Sequence, residues 1–448
     1  MEGRYLLRTF GCQMNEHDSE RIGGLLRADG MTPTDDVADA RVVVFNTCAI
    51  RENADNRLYG NLGHLKPLKQ RDPGLRIVVA GCLAQKDQWT ILERAPWVDV
   101  VIGTHALPSL LDLLRRSEAE GPQMDVREAT EVFPSALPAA RADAFRAWVS
   151  IAPGCDNACT FCIVPLVRGP QRSRPIGDVL AEVQGLARRG VVEVTLLGQN
   201  VNTYGRDVTV PGSSPRPLFA DLLRAVNEVE GIERIRFTSP HPRDFTEDVV
   251  DAMAGCEHVC EHIHFPLQSG SDRVLRAMGR SYRRDRYLGW LERIREAVPG
   301  IGVSTDVIVG FPGETEEDFA ETLDVVERAR FDSAYTFQYS PRPGTRAAGF
   351  DDQVPKEVVQ ERFGRLVELQ ERIAFERSSA QVGEVVEVLV EGGDRKRRST
   401  QSRTRTNRIV HLAEPLEPGT FVWVRITDAA PHHLLGRVVP APEPAAVG

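Results

Sequence analysis

The chain has 448 residues, 42% hydrophobic and 27% charged, with a formal net charge of −9. That length allows about three domains of ~150 residues, and the composition is that of a globular protein. No run of ~18 apolar residues occurs, so no helical membrane span is expected. The acidic balance argues against a protein that coats nucleic acid with its whole surface, while leaving room for a local basic patch. Met1–Tyr5 carries no apolar leader, so a cytoplasmic location is expected. Eight cysteines are few for a disulfide scaffold in such a chain, and clustered thiols point instead to metal or catalysis.

In chain order, the first third alternates strand and helix. Tyr5–Phe10, Arg41–Phe45, Leu75–Ala80 and Val98–Ile102 read as strands, with helical patterns over about 16–28 and 52–68. Near-continuous Val/Ile runs separated by helices predict an open parallel sheet covered on both faces. Three of these strands end in cysteine: Gly11-Cys12, Thr47-Cys48 and Gly81-Cys82. The carboxyl ends of parallel strands share one edge, where ligands bind, so the three thiols are expected to converge despite their separation in sequence. Three thiolates with no fourth suit an iron–sulfur cluster that keeps one iron open; three buried thiols are the alternative. This domain is taken as 1–117, followed by an Ala/Pro/Glu/Arg-rich linker over 118–146.

From 147 to 378 the alternation resumes, with strands expected at Trp148–Ala152, Val192–Leu197, Arg234–Thr238, His262–Leu267, Gly302–Val309 and Ala334–Tyr339. Six strands are too few for an eight-stranded barrel and predict a partial (βα)6 barrel with its site at the strand carboxyl ends. The loop after its first strand holds Cys155, Cys159 and Cys162 in the spacing C-x3-C-x2-C, again without a fourth ligand nearby. A structural zinc usually takes four protein ligands, so a zinc knuckle fits less well than a cluster whose open iron binds a small molecule. Later strand-end loops are polar and Gly-rich, and Gln199, Asn200, Ser239, Gln268, Gly310 and Gly313 are candidates to bind a nucleoside or amino-acid group. Arg168, Arg172 and Arg174 form a basic group just past the cysteine loop. Cys256 and Cys260 read as buried thiols.

The segment 379–442 changes character. Glu384–Val390, Ile409–Leu412, Phe421–Ile426 and Leu434–Val439 read as short strands with no helix between, which predicts a small β-barrel. Between the first two lies an acid-free basic run whose members include Arg397, Arg398, Arg403, Arg405 and Arg408, expected to contact phosphates.

Long strings in this sequence resemble the methylthiotransferases, a radical S-adenosylmethionine (SAM) family. They are Thr9–Asn15 with Asp18-Ser19-Glu20, Asn46–Glu52, Gly154–Cys162 with Arg168-Gly169, Leu197–Asn202, and Arg405-Thr406-Asn407. The resemblance covers nearly the whole chain and is strongest to members acting on isopentenylated adenosine in tRNA. It implies a C-terminal domain of the TRAM type and two 4Fe-4S clusters. One, on Cys155, Cys159 and Cys162, binds SAM and cleaves it to a 5′-deoxyadenosyl radical. The other, an auxiliary cluster on Cys12, Cys48 and Cys82, presents sulfur. It further implies two SAM per turnover, an electron donor such as flavodoxin or ferredoxin, a sulfur source, and a monomer. The product would be a 2-methylthio group on carbon 2 of N(6)-dimethylallyladenosine at tRNA position 37. Rival readings are a methylthiotransferase for threonylcarbamoyl-adenosine or a ribosomal protein, and a non-enzymatic RNA-binding metalloprotein. The segment Gly198-Gln199-Asn200 departs from the Gly-Gly-Glu-like string of many radical SAM enzymes.

Overall fold

The computed structural model describes residues 2–49, 52–128, 133–141, 143–208, 216–394 and 399–442. The first domain is a six-stranded sheet of β1 (Gly3–Phe10), β2 (Met31–Pro33), β3 (Ala40–Thr47), β4 (Arg76–Gly81), β5 (Val100–Ile102) and β6 (Gln123–Asp125). Its order is β2-β1-β3-β4-β5-β6, and every neighbouring pair is parallel. Helices α1 (Gln13–Ala28), α2 (Glu52–Arg71), α3 (Cys82–Asp87), α4 (Trp89–Arg94) and α5 (Leu110–Glu120) connect the strands. The strand period of two divides the apolar runs between the two faces. Val42, Val44, Val78 and Ala80 pack in one cluster with α1 and α5 residues, and Val43, Phe45, Ile77 and Val79 in another with α2 residues. The sheet is thus covered on both faces, as the continuous Val/Ile runs predict.

Two strands of this domain, β2 and β6, lie outside the strands expected from the sequence. β2 is a three-residue edge strand ending in proline, and β6 lies inside the segment read as linker. The sequence Gln-Met-Asp carries no strand signal of its own; it pairs because β5 offers an open parallel edge.

The second domain contains β7 (Arg146–Ala152), β8 (Glu193–Gly198), β9 (Arg234–Phe237), β10 (His262–His264), β11 (Gly302–Val309) and β12 (Ser333–Gln338). They form two three-stranded parallel sheets, β7-β8-β9 and β10-β11-β12, joined by the single bridge Ile235–Val259. This is the expected six-stranded partial barrel, split into two leaves. β10 stops at His264 rather than Leu267: Leu267 N–H, the next donor toward β11, turns to the Thr305 hydroxyl at 3.0 Å instead of continuing the ladder. The chain rejoins β11 when Gln268 N–H donates to the Asp306 carbonyl at 2.8 Å.

The last domain is a closed five-stranded barrel of β13 (Val385–Asp394), β14 (Ser399–Thr404), β15 (Ile409–Leu412), β16 (Phe421–Ala429) and β17 (Leu434–Val439). β14 lies in the stretch taken as a basic loop. Its inward side chains are Thr400, Ser402 and Thr404, all buried, so no apolar alternation marked it. Their hydroxyls are satisfied within the barrel: Thr400 donates to the Glu414 carbonyl at 2.6 Å, Ser402 donates to the Val410 carbonyl at 2.9 Å, and Thr404 accepts from Arg408 N–H at 2.9 Å. Among the described residues no helix is long and apolar enough to cross a membrane.

The C-terminal barrel closes the amino end of the second domain. Arg234, fully buried, donates to the Arg403 carbonyl at 2.7 Å and to Glu387 at 2.9 Å. Arg236 donates to the carbonyls of Thr404 and Arg405. In return Arg405 binds both Glu261 carboxylate oxygens, at 2.7 and 2.9 Å, and the carbonyls of Glu257 and Val259. The turn seats so closely that a Cβ on Gly302 would lie 2.5 Å from the Thr406 carbonyl oxygen. Replacing Arg405 with Ala removes a bidentate charged contact and should cost about 1.5–3 kcal/mol. The expected outcome is a lower melting temperature and proteolytic release of the C-terminal barrel near residue 379, read by thermal scanning and limited trypsinolysis.

Candidate active site

The second-domain cysteine loop leaves β7 and enters the short helix α6 (Val164–Arg168). A Cβ on Gly154, at φ +81°, would meet the Pro170 carbonyl oxygen at 2.0 Å, so only glycine fits this crossing. Thr160 anchors the loop, its N–H donating to the Met278 carbonyl and its hydroxyl to that of Ala277, both at 2.9 Å. Each sulfur faces a donor. Asn157 N–H lies 3.4 Å from Cys155 Sγ, the Arg280 guanidinium 3.7 Å from Cys159 Sγ, and Val164 N–H points to Cys162. Burial pushes the Cys162 thiol up to about 12 and also raises Cys155. Cys155 and Cys162 as free thiols are therefore protonated near neutrality, and iron must displace those protons. Three thiols with N–H donors aimed at their sulfurs fit an anionic iron–sulfur cluster. Arg280 carries no sequence signal, because only the fold brings it to Cys159.

The N-terminal cysteines converge as expected. β1 and β3 flank the point where strand order reverses, the place where open parallel sheets bind ligands. Cys12 caps α1 after β1, Cys48 follows β3, and Cys82 opens α3 after β4. A polar network fixes the loops that carry them. Asn46 Nδ2 donates to the Asn15 carbonyl at 2.8 Å and to Ser19 Oγ at 2.9 Å, Ser19 shares a 2.7 Å bond with Thr9, and Cys12 Sγ lies 3.4 Å from Asn15 Oδ1. The Cys12 thiol falls to about 5, chiefly through its hydrogen bond with Cys48 and, against the opposing effect of burial, through the nearby charge of Arg168. Among the described residues no three His, Cys, Asp or Glu side chains close on a single-ion site.

One cavity of about 590 Å³ is lined by Cys12 and Cys48 from the first domain and by Cys162, Gln199, Ser239 and Gln268 from the second, while Cys82, Cys155 and Cys159 are not among its lining residues. Ser239 and Gln268 hold positive φ angles of 58° and 69°, the kind of strained backbone that collects at functional sites. Asn200, Gly310 and Gly313 do not line the cavity. Asn200 is buried and donates to Asp244 at 2.9 Å, and its Oδ1 has no partner among the described residues. Gly310 N–H donates to Glu314 at 3.0 Å, and Gly313 N–H donates to the Asp352 carbonyl at 2.7 Å, so both shape the loop after β11. Deeper in, Glu193 and Arg236 pair at 2.8 Å and His264 and Asp306 at 3.3 Å. Tyr335 and Phe337, 55% and 39% exposed, add an accessible aromatic wall from β12 that the sequence reading did not single out. Their period-two spacing was its only trace. Cys256 and Cys260 are buried, as expected.

The basic clusters are placed differently from expectation. Arg403 pairs with Glu391 at 2.6 Å, Arg405 with Glu261, and Arg408, largely buried, with Asp332. These three are not arrayed as a free phosphate-contacting row. The run contains no acid, but Glu391 just before it and the distant Glu261 and Asp332 reach it in three dimensions. Arg397 and Arg398 lie outside the described residues. The group past the cysteine loop is also committed internally: Arg168 pairs with Asp18 at 2.8 Å, Arg174 with Glu182 at 2.8 Å, and Arg172 stacks 5.0 Å above the Phe133 ring.

The chain matches three family models: an uncharacterised protein family, UPF0004, over residues 4–103, the radical SAM superfamily over 149–326, and the TRAM domain over 379–439. A tRNA-2-methylthio-N(6)-dimethylallyladenosine synthase 1 from Mycobacterium marinum is 57% identical over an alignment covering 96% of this chain and 85% of that protein. Proteins named tRNA-2-methylthio-N(6)-dimethylallyladenosine synthase from Parafrankia sp. and Nocardia farcinica are each 58% identical, covering 97% and 96% of this chain and 90% and 88% of theirs. Among solved structures, the radical S-adenosylmethionine methyltransferase TsrM from Kitasatospora setae superposes with a TM-score of 0.55 at 15% identity, covering 77% of this chain and 75% of that one, a likeness of fold. With cysteines of both sets, Cys12, Cys48 and Cys162, on one cavity, these matches show that the chain belongs to the radical SAM methylthiotransferases, in the family of the tRNA-2-methylthio-N(6)-dimethylallyladenosine synthases.

Proposed function

We propose that this protein is a cytoplasmic tRNA-modifying enzyme. It replaces the hydrogen on carbon 2 of N(6)-dimethylallyladenosine, at position 37 beside the anticodon, with a methylthio group. The observation that carries the reading is that Cys12 and Cys48 of one three-cysteine set and Cys162 of the other, from separate parallel sheets, line one cavity. Cys155, Cys159 and Cys162 would hold a 4Fe-4S cluster with SAM on its open iron, and Cys12, Cys48 and Cys82 a second. When bound, these groups supply an adenosyl radical and a sulfur atom, the chemistry that an unactivated C–H bond demands of a cofactor.

The chain's own residues bind, orient and enclose. The Arg280 guanidinium and the Asn157 and Val164 N–H groups offer donors to the first set's sulfurs. Gln199, Ser239 and Gln268 present amide and hydroxyl groups for SAM or the nucleoside. Tyr335 and Phe337 offer flat apolar surface to a base or its dimethylallyl substituent. An anticodon-loop base is single-stranded and enters such a pocket at the modest cost of unstacking. Two SAM per turnover, a flavodoxin- or ferredoxin-like electron donor and a sulfur source complete the requirements, with the C-terminal barrel on the tRNA.

Nucleoside mass spectrometry of tRNA from a strain lacking the gene should show the 2-methylthio nucleoside gone and N(6)-dimethylallyladenosine accumulated in its place. A loss confined to the threonylcarbamoyl-adenosine derivative would instead name the rival substrate. In vitro, the variant with Cys12, Cys48 and Cys82 all changed to Ala should still release 5′-deoxyadenosine with dithionite but form no methylthio nucleoside. The variant with Cys155, Cys159 and Cys162 all changed to Ala should release none. Chromatography scoring both products checks the division, and methylthiolated tRNA from the first variant would contradict it.

A further inference from the structure

We propose that Arg168, carried on the second domain's cysteine segment, is a positioning residue for the N-terminal cysteine set. Clamped by Asp18, it holds a positive charge and a hydrogen-bond donor beside the Cys82 and Cys12 sulfurs, and so raises the reduction potential of the cluster they carry. The inference rests on the two-cluster reading above and extends it: the segment that supplies one cluster's ligands also sets the electrostatics of the other.

Three observations carry it. First, α6 leans off the second domain onto the edge of the N-terminal sheet. Ile163 and Val167 form one buried apolar cluster with Ala49 and Cys82, and Thr104 donates to the Val167 carbonyl at 2.6 Å. Second, Arg168 at the end of α6 is buried and fixed. Its Nη2 donates to Asp18 Oδ2 at 2.8 Å, and the two side chains are 6% and 3% exposed. Asp18 belongs to α1, the helix capped by Cys12, and its other oxygen lies 3.6 Å from His17 Nδ1. Third, Val167, the residue before Arg168, packs against Cys82, and the guanidinium faces the Cys82 thiol and lies near Cys12.

The chemistry follows directly. A guanidinium stays charged at any working pH, and a buried charge is poorly screened. Reducing a cluster adds negative charge, so a nearby cation with an N–H donor stabilises the reduced form. Removing it should move that cluster's midpoint to more negative potential. An Arg168 that served only as a strut between domains would leave the midpoint alone.

The test uses full-length protein reconstituted anaerobically: wild type, Arg168→Gln, Arg168→Lys, and the double variant Arg168→Gln/Asp18→Asn, which leaves no unpaired buried carboxylate. Iron is counted first, about eight per wild-type chain and about half that after Cys12, Cys48 and Cys82 are changed to Ala. Potentiometric titration followed by electron paramagnetic resonance then reads both midpoints, with the second-domain cluster as internal reference. The expected result is a negative shift of the N-terminal midpoint in Arg168→Gln, a smaller negative shift in the double variant, and a midpoint near wild type in Arg168→Lys. If the neutral variants lose their N-terminal irons, Arg168→Lys decides: retained iron at a near-wild-type midpoint supports the assignment, and loss there overturns it. Eight irons with an unmoved N-terminal midpoint, or equal shifts of both midpoints, would overturn the role of Arg168 and leave the two-cluster reading standing. About four irons in wild type would overturn both.

Discussion

The cavity exists because the carboxyl ends of two parallel sheets are held face to face, and buried ion pairs along α1 hold them there. Asp18 reaches Arg168, and Arg21 reaches Glu182, which also binds Arg174. Such pairs contribute little net stability, since apolar residues of similar volume would often do as well. Their consequence is register. An unpaired buried charge costs about 3–5 kcal/mol, so sliding one sheet past the other strands several charges at once. Each half-site binds its ligand at its own strand ends, but the joint site needs a fixed distance between them, and directional charge pairs set that distance better than an apolar interface.

The opposite end of the second domain is governed by the same residue type in a different role. Arg234 and Arg236 project from the start of β9 into the carbonyls of the C-terminal barrel, while Arg405 and Arg408 return the contact to Glu261 and Asp332. A six-stranded barrel split into two leaves is open at its seam and foot, and this exchange of arginines closes the foot. It also leaves the lower lumen lined with the ion pair Glu193–Arg236 and the polar pair His264–Asp306 rather than packed with aliphatic side chains. The domain expected to serve RNA alone therefore also builds the wall of the cavity, to which it contributes Arg403 and Asn407.

The sequence by itself determined the elements whose physics is local. Apolar runs bounded by turns made β1, β3, β4 and β11 legible, and a cysteine after each of three such strands predicted their convergence, because parallel strands share a carboxyl edge. The C-x3-C-x2-C loop was legible for the same reason: its geometry is settled within a few residues. Tertiary structure alone decided the rest. β6 and β14 are strands only because a neighbouring edge lacked a partner, and their own residues are too polar to announce it. The arginine run looked free of acids because charge partners are chosen by distance in space, and Glu261, Asp332 and Glu391 are brought to it by the fold. Arg280 at Cys159 and Arg168 at Cys82 belong to the same class. A thiolate ligand is fixed by its own backbone, whereas a long cation reaches across domains, and where its charge ends up depends on everything packed around it.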